Sequence, residues 1–447
     1  MNLEIKFPIL FYFLCKYRSN FWSSKKIYKY QRKKRNSIVK LAVSKSPFFK
    51  KYYSKYNLYD FFNLPILNKK IMMENLSEYN TLGFKKEEMV GFALNAEKTR
   101  DFSRRLRNIN IGMSSGTSGN KGIVITTEKE EKYIKAMYLA RLVLPKKEKI
   151  NCAFILRITS PAFDYNKRGN KLTYIGQLQP IEDIIKQLET LNPNVVSAPP
   201  SMLKLLAKEL IAGNLKINPK LLYSYAEVLY PDVKKLLEEA FNCKVMEIYQ
   251  GSEGYYAVTC KEGNLHVNED MVFFELFDKD GNSTPDGEPC YRLLVTDLHK
   301  SSQPIIRYEL NDVITISKNK CKCGSNFRVI EKIQGRADDL FWGLRKDDNK
   351  EHFIFQDYIS RSIISVSENI EEYQAIQEDY TKITLRIKLK EEKDAEKTRN
   401  ELDEAIKKVF SQYGCIEPKV NVIFGDPLVN ANSKKLSRII CNIKKHG

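Results

Sequence analysis

The chain has 447 residues, room for two or three domains, and its 43% apolar content suits a water-soluble globular protein with a sizeable core. A net charge of +19 favours an anionic partner (a nucleotide, a nucleic acid or an acidic membrane surface) without choosing among them, and the Lys-, Asn- and Ile-heavy composition gives the same charge a genomic origin. Nine cysteines, odd in number and scattered, argue against a disulfide scaffold and for a reducing compartment.

In chain order, the apolar run Phe7 to Leu14 is far too short for a membrane span, and no small-residue cleavage site follows it. No cleaved signal peptide is therefore expected, and the cytoplasm is the expected compartment. Between Glu4 and Asp60 there is no Asp or Glu, while Lys and Arg recur. Arg32-Lys33-Lys34-Arg35 is the densest cluster, with Tyr, Phe and Trp22 interleaved. The basic stretch 1–60 reads as an amphipathic helix resting on an anionic membrane. Another reading is a nucleic-acid-binding segment, and the plainer one is a helical pair with its charged side in water. Ser46-Pro47-Phe48-Phe49 is expected to break the helical pattern.

The stretch Ser114-Ser115-Gly116-Thr117-Ser118-Gly119-Asn120-Lys121-Gly122 packs three glycines, four hydroxyls and a lysine into nine residues. Glycines admit a close anion, hydroxyls donate to phosphate oxygens, and lysine adds a point charge. The spacing is not that of a Walker A loop, and a flexible polar loop is the bland alternative. A short strand, Ile123 to Thr126, and a helix from Glu128 to Leu144 are expected to follow.

From there to 250 helix and strand signals alternate. Strands are expected at Cys152–Ile158, Val195–Ser197, Leu221–Tyr225 and Lys244–Tyr249. Helices are expected at Ile181–Leu191, after a Ser201 cap, and at Pro231–Phe241. This rhythm predicts an α/β fold: a mainly parallel sheet covered by helices, with ligands beyond the strand C-termini, where Ala226-Glu227 and Gln250-Gly251-Ser252-Glu253 fall. Strand-like runs separated by turns make 260–335 a β region. A small α+β domain closes the chain, so the expected division is 1–337 and 338–447.

Four motifs now stand in order: the Ser114–Lys121 loop; Tyr249-Gln250-Gly251-Ser252-Glu253; Arg307-Tyr308-Glu309-Leu310-Asn311-Asp312; and Gly335-Arg336-Ala337-Asp338-Asp339, followed by Lys435-Leu436-Ser437-Arg438 near the C-terminus. Together they resemble the adenylate-forming (ANL, acyl-CoA synthetase) superfamily. Phenylacetate–CoA ligases are the nearer look-alikes. Closer still are deazaflavin-coenzyme-synthetase-like adenylate-forming enzymes sometimes found with polysaccharide genes.

The resemblance implies a large layered αβ N-terminal domain with a β subdomain and a small mobile C-terminal lid. It implies an ATP- and Mg²⁺-dependent ligase that activates a carboxylic acid as acyl-AMP, releases pyrophosphate and passes the acyl group to CoA or another acceptor. Ser114, Ser115, Gly116, Thr117, Ser118, Gly119 and Lys121 would grip phosphates. Glu253 would hold Mg²⁺, and Asp312 would accept the ribose hydroxyls. Tyr225, Ala226 and Glu227 would carry the adenine, with Tyr249, Gln250, Gly251 and Ser252 beside it. Arg307 and Arg336 would be a sugar or phosphate contact and a hinge-side contact, or structural ion pairs. Lys435 would be the mobile catalytic lysine, with Lys434 the neighbouring register, and Asp338 the hinge. Leu340-Phe341-Trp342-Gly343-Leu344 replaces the usual lysine- and glycine-rich stretch after the hinge, which puts CoA in question. The rivals are an adenylyltransferase that moves AMP onto an acceptor and a catalytically silent nucleotide-binding protein. Monomer and homodimer are both open.

Cys260, His266, Cys321 and Cys323 form two short knuckles suited to a structural Zn²⁺, or are free structural thiols. Phenylacetate–CoA-ligase-like proteins carry a similar pattern. The four histidines lack Ser or Cys partners, so hydrolase readings are poor, and no specific nucleic acid is expected.

Overall fold

The computed structural model describes residues 8–443 except 100, 114–121, 146, 157–164, 168, 178, 337–339, 355, 368, 392–394 and 430–435. The side chains of Glu97, Tyr165, Lys167, Arg336, Phe353, Gln356, Asp357 and Arg361 are also outside the description. The chain divides into two compact units: residues 1–310 with 315–332, and residues 311–314 with 333–447.

The larger unit opens with helices α1 (Pro8–Phe21), α2 (Ser24–Lys45) and α3 (Pro47–Tyr52). The helical pattern does break at Ser46, but another helix starts there. Ser46 Oγ accepts from Phe49 N and Pro47 occupies the first helical turn, where its missing N–H costs nothing. Short α4 (Lys69–Glu74) and α5 (Leu76–Tyr79) precede α6 (Lys86–Thr99). Strands β1 (Ile109–Met113) and β2 (Ile123–Thr127) pair antiparallel with Met113 opposite Ile123. α7 (Glu128–Arg141) follows directly, its start fixed by a reciprocal Thr127–Glu130 capping box.

The main sheet then assembles from β3 (Asn151–Leu156), β4 (Tyr165–Lys167), β5 (Asn170–Gly176), β6 (Val195–Ala198), β7 (Leu221–Tyr225), β8 (Lys244–Gln250), β9 (Tyr255–Thr259) and β10 (Leu265–Val267). Between these strands run α8 (Ile181–Leu191), α9 (Pro200–Ile211) and α10 (Pro231–Phe241). Strands β5-β3-β6-β7-β8 are parallel, in that order. The β8–β9 and β9–β10 pairs are antiparallel, as is β4 on β5 at the far edge. Alternation along the strands builds the core. Ala153, Ile155, Val196, Ala198, Leu222 and Val245 face α8, α9 and α10 through Ile184, Leu188, Leu203, Leu206 and Leu237. Cys152, Val195, Leu221, Tyr223 and Met246 face the other way, against Leu142 and Val143 just beyond α7. Both sides are thus covered, as near-continuous apolar strands require. Ser201 is not the cap of α9: Pro199 precedes the helix, Pro200 fills its first position, and Ser201 turns to Glu227.

The β region holds a three-stranded antiparallel sheet of β11 (Val272–Phe277), β12 (Arg292–Asp297) and β13 (Tyr308–Leu310). Strands β14 (Asp312–Ile316) and β15 (Val329–Arg336) extend the main sheet beyond β10, and the division between the units falls within them.

In the smaller unit, β16 (Phe341–Leu344) and β17 (Glu351–Ile354) form a hairpin, followed by α11 (Gln356–Ile364). A four-stranded sheet has the order β20-β19-β18-β21, from β18 (Ile370–Asp379), β19 (Lys382–Leu389), β20 (Lys419–Phe424) and β21 (Ile439–Cys441). It packs on α12 (Ala395–Gln412) through Leu402, Ile406, Val409 and Phe410. The unusual Leu340–Leu344 stretch is thereby accounted for. Phe341 is core, and Gly343 lies so close to Cys415 that an added Cβ would stand 2.6 Å from its sulfur.

Candidate active site

The parallel strands β7 and β8 end side by side, and both predicted loops begin there. Tyr225 turns its ring into the sheet: it stacks on Phe154, and its hydroxyl donates to the carbonyls of Ile155 (2.8 Å) and Ser197 (3.3 Å). Its side chain is therefore part of the floor, and burial pushes its phenol well above the ordinary value. Ala226 then takes φ +67, a conformation uncommon without glycine, which turns the chain sharply off the strand. Glu227 accepts from the Ser201 backbone N–H and hydroxyl (3.1 and 3.0 Å), tying this bend to the start of α9.

At the end of β8, Tyr249 is buried with its ring 5.1 Å from that of Tyr256, and Gln250 Oε1 accepts from Tyr138 Oη at 2.6 Å. Gly251 and Gly254 exchange backbone hydrogen bonds (2.9 and 3.4 Å), closing a tight turn around Ser252 and Glu253. A Cβ on Gly254 would stand 2.9 Å from the Tyr256 ring, so this turn needs glycine for space. Glu253 Oε1 accepts from Tyr308 Oη at 3.2 Å. Burial and the adjacent Glu253 charge push the Tyr308 phenol far up, which keeps it a donor. Lys300 is pushed down by burial, against the opposing fields of Asp297, Glu130 and Glu253. A tyrosine hydroxyl and a carboxylate thus meet at the turn that follows β8.

Of the two readings of Arg307 the structure shows the ion pair: Nη2 sits 3.0 Å from Glu275 Oε1, Nε donates to both Glu275 oxygens at 3.2 Å, and Nη1 donates to the carbonyls of Phe62 and Leu64. Asp312 opens β14 and is half-buried. Ser114, Ser115, Gly116, Thr117, Ser118, Gly119, Lys121, Asp338, Lys434 and Lys435 lie outside the described residues, as does the Arg336 side chain. Their flanks are fixed. Met113 pairs with Ile123, Val429 bridges to Leu436, and the Arg438 carbonyl accepts from Ala375 N at 2.7 Å.

Two bracing residues escaped the sequence reading. Glu130 accepts six hydrogen bonds: from the backbone and hydroxyl of Thr127, of Ser301 and of Ser302, at 2.7–3.1 Å. Gln303 pairs like a strand with β2, donating to the Ile123 carbonyl at 2.9 Å and accepting from Ile125 N at 3.1 Å. Both hold the β1–β2 hairpin that carries the Ser114–Lys121 loop. Thr127-x-x-Glu130 was a readable capping box; nothing in the sequence marked Gln303.

The four metal candidates do come together, Cys260 on the β9–β10 turn, His266 within β10, and Cys321 and Cys323 on the β14–β15 connection, with ligand atoms all within 4.8 Å of one another. Cys260 Sγ is 3.6 Å from Cys321 Sγ, and Cys323 Sγ is 3.3 Å from His266 Nε2. Zn–S bonds of about 2.3 Å at tetrahedral angles give S···S near 3.8 Å, so the set fits a tetrahedral cation. His266 Nδ1 donates to the Phe327 carbonyl at 2.9 Å, leaving Nε2 to face the thiols. Burial pushes the Cys323 thiol up to about 12, a protonated group unless a cation claims it.

The fold is that of the adenylate-forming ligases. A crystal structure of 2-hydroxyisobutyryl-CoA ligase in the postadenylation state, complexed with an acyl-AMP, superposes with TM-score 0.72 over 95% of this chain and 91% of that one, at 16% identity. The same ligase is known in an open conformation with 2-HIB-AMP and CoA. In sequence, the chain is distantly similar to Protein CapK of Staphylococcus aureus, 25% identical over 240 residues. It is also similar to phenylacetate-coenzyme A ligase of Thermus thermophilus, 28% identical over 165 residues. These matches cover 52% and 34% of this chain, and span about half and about a third of the two relatives' lengths. No family model matches.

Proposed function

We propose that this protein is an ATP- and Mg²⁺-dependent ligase that activates a carboxylic acid as its acyl-adenylate. The observation that carries the proposal is the join of β7 and β8 to the Ala226 bend and the Gly251–Gly254 turn, in a fold shared with a ligase that holds an acyl-AMP.

Adenylation brings a carboxylate to the α-phosphorus of ATP and expels pyrophosphate. Two anions must meet, so donors and positive charge are needed where charge develops. The Ala226-Glu227 backbone, turned off the sheet and tied to Ser201, is the platform for adenine. The Ser114–Lys121 loop, on the hairpin that Glu130 and Gln303 brace, holds the β- and γ-phosphates. Mg²⁺, when bound, would supply charge neutralisation at the phosphates. Glu253 would be its carboxylate ligand, oriented by Tyr308. Asp312 would accept the ribose hydroxyls, and Lys435 would be the catalytic ammonium. Arg307 stays outside this chemistry as the ion pair that fixes the chain before β13. The acceptor is CoA or another thiol or hydroxyl. Leu340–Leu344, given over to β16, supports an acceptor other than CoA.

Zinc on Cys260, His266, Cys321 and Cys323 would pin two turns of the β region and take no part in the chemistry. Pyrophosphate release, screened against aryl, fatty and amino acids with and without CoA, tests the reading. Acid-dependent release with trapped acyl-AMP supports it; AMP recovered covalently on an acceptor supports the adenylyltransferase instead.

A further inference from the structure

Helix α1 has two apolar faces. One is packed: Phe11, Cys15 and Arg18 are buried, with the Phe11 ring 4.3 Å from that of Tyr133 in α7. The other is open. Ile9, Phe13, Tyr17 and Phe21 are 74%, 60%, 49% and 71% exposed, and Leu10 joins them at 39%. A helical step of four residues turns a side chain by about 40°, so these four lie within an arc of about 120° facing away from the packed side. A continuous row of large apolar side chains is unlike the single exposed residues ordinary on a surface.

The surroundings are cationic. Between Glu4 and Asp60 the chain carries fifteen lysines and arginines and no acid, against a net charge of +19 for the whole protein. Helix α2 exposes Lys25, Lys29, Arg32 and Lys33 on its outer side. Lys26 Nζ lies 5.6 Å over the Tyr17 ring and 5.2 Å over Trp22, which brings the first turn of α2 to the edge of the open row.

We propose that this face docks the protein on an anionic lipid bilayer. The Ile9–Phe21 row enters the boundary of headgroups and acyl chains, and the lysines of α2 meet lipid phosphates. Charge complementarity selects this occupant. A second copy would set the same cationic cluster against itself. Single-stranded nucleic acid stacks on aromatic rings and gains nothing from Ile9 and Leu10. No described helix is long and apolar enough to cross a membrane, so the association is peripheral and reversible.

The test is co-sedimentation of the full chain with vesicles of phosphatidylcholine alone and of phosphatidylcholine with phosphatidylglycerol. Binding is expected only to the anionic vesicles, falling roughly tenfold or more in high salt. The variant I9S/F13S/F21S should weaken partitioning by about a hundredfold, and K25E/K26E/K29E should weaken it similarly. All six positions are exposed, so both variants should keep the wild-type melting temperature. Failure to bind anionic vesicles at low salt would overturn the proposal. So would equal binding to neutral vesicles, a dimer that the apolar variant dissociates, or an RNA complex that it abolishes.

Discussion

The Tyr308 hydroxyl, 3.2 Å from Glu253, is where one atom bears most directly on the proposed chemistry. With Glu253 as the Mg²⁺ ligand, Glu253→Gln should lower kcat for adenylation by about a hundredfold, and Tyr308→Phe by about tenfold, with little change in melting temperature. Equal rates in all three proteins would remove Glu253 from the site. At the metal cluster, purified protein should carry about one equivalent of zinc, and Cys323→Ser should lose it and unfold at lower temperature. Metal analysis and thermal melts check this; protein with no bound metal and an unmoved transition would make these free thiols. The sequence marked Glu253 through the resemblance of its motif, and the four metal candidates through paired knuckles, which are local patterns. It left Arg307 open, because its partner Glu275 lies across the β11–β12–β13 sheet, where only tertiary structure brings them together.

Elements were legible where the signal was periodic or punctuated. Ile181–Leu191, Leu221–Tyr225 and Pro231–Phe241 form as expected, because apolar spacing and Pro at a helix start are local signals. Ser201 misled, because Pro199 and Pro200 fix the first helical position ahead of it; at Ser46 the expected break occurs, and the same serine caps α3. Glu130 could be recognised as a cap but not as a hub, since four of its six donors come from Ser301 and Ser302. A buried carboxylate with this many donors is costly to remove. Glu130→Ala should cost about 3 kcal/mol in urea unfolding, and it should loosen the β1–β2 hairpin enough to raise KM for ATP. A loss no larger than that of a plain cap, about 1 kcal/mol, would show that the Ser301–Ser302 bonds count for little.

For the molecule as a whole, the half-buried His299 contributes a pH dependence. His299 lies 3.0 Å from the Asp270 carbonyl and 3.2 Å from the Tyr30 hydroxyl. Burial first, then the charges of Lys34, Arg18 and Arg141, hold it well below its ordinary value. Below about pH 6.5 the unfolded chain takes up a proton that the folded chain refuses. Stability is therefore full above that pH and falls as pH drops, by up to about 1.4 kcal/mol per unit for this group. Denaturant titrations between pH 7.5 and 5 check the slope; a stability that rises on acidification would contradict it. The fold was legible because its parallel core alternates helix and strand in sequence, and the order of motifs then suggested its use. The acid and the acceptor were not, because their pockets are built from scattered side chains that no spacing fixes.

The most direct test of the proposed chemistry is isotope exchange between pyrophosphate and ATP across a panel of carboxylic acids. Label should enter ATP only when one of the acids is added, and Lys435→Ala should abolish that exchange. Exchange that proceeds with no acid present, or none with any acid while AMP becomes fixed to an acceptor, would contradict the proposal that this fold activates a carboxyl group.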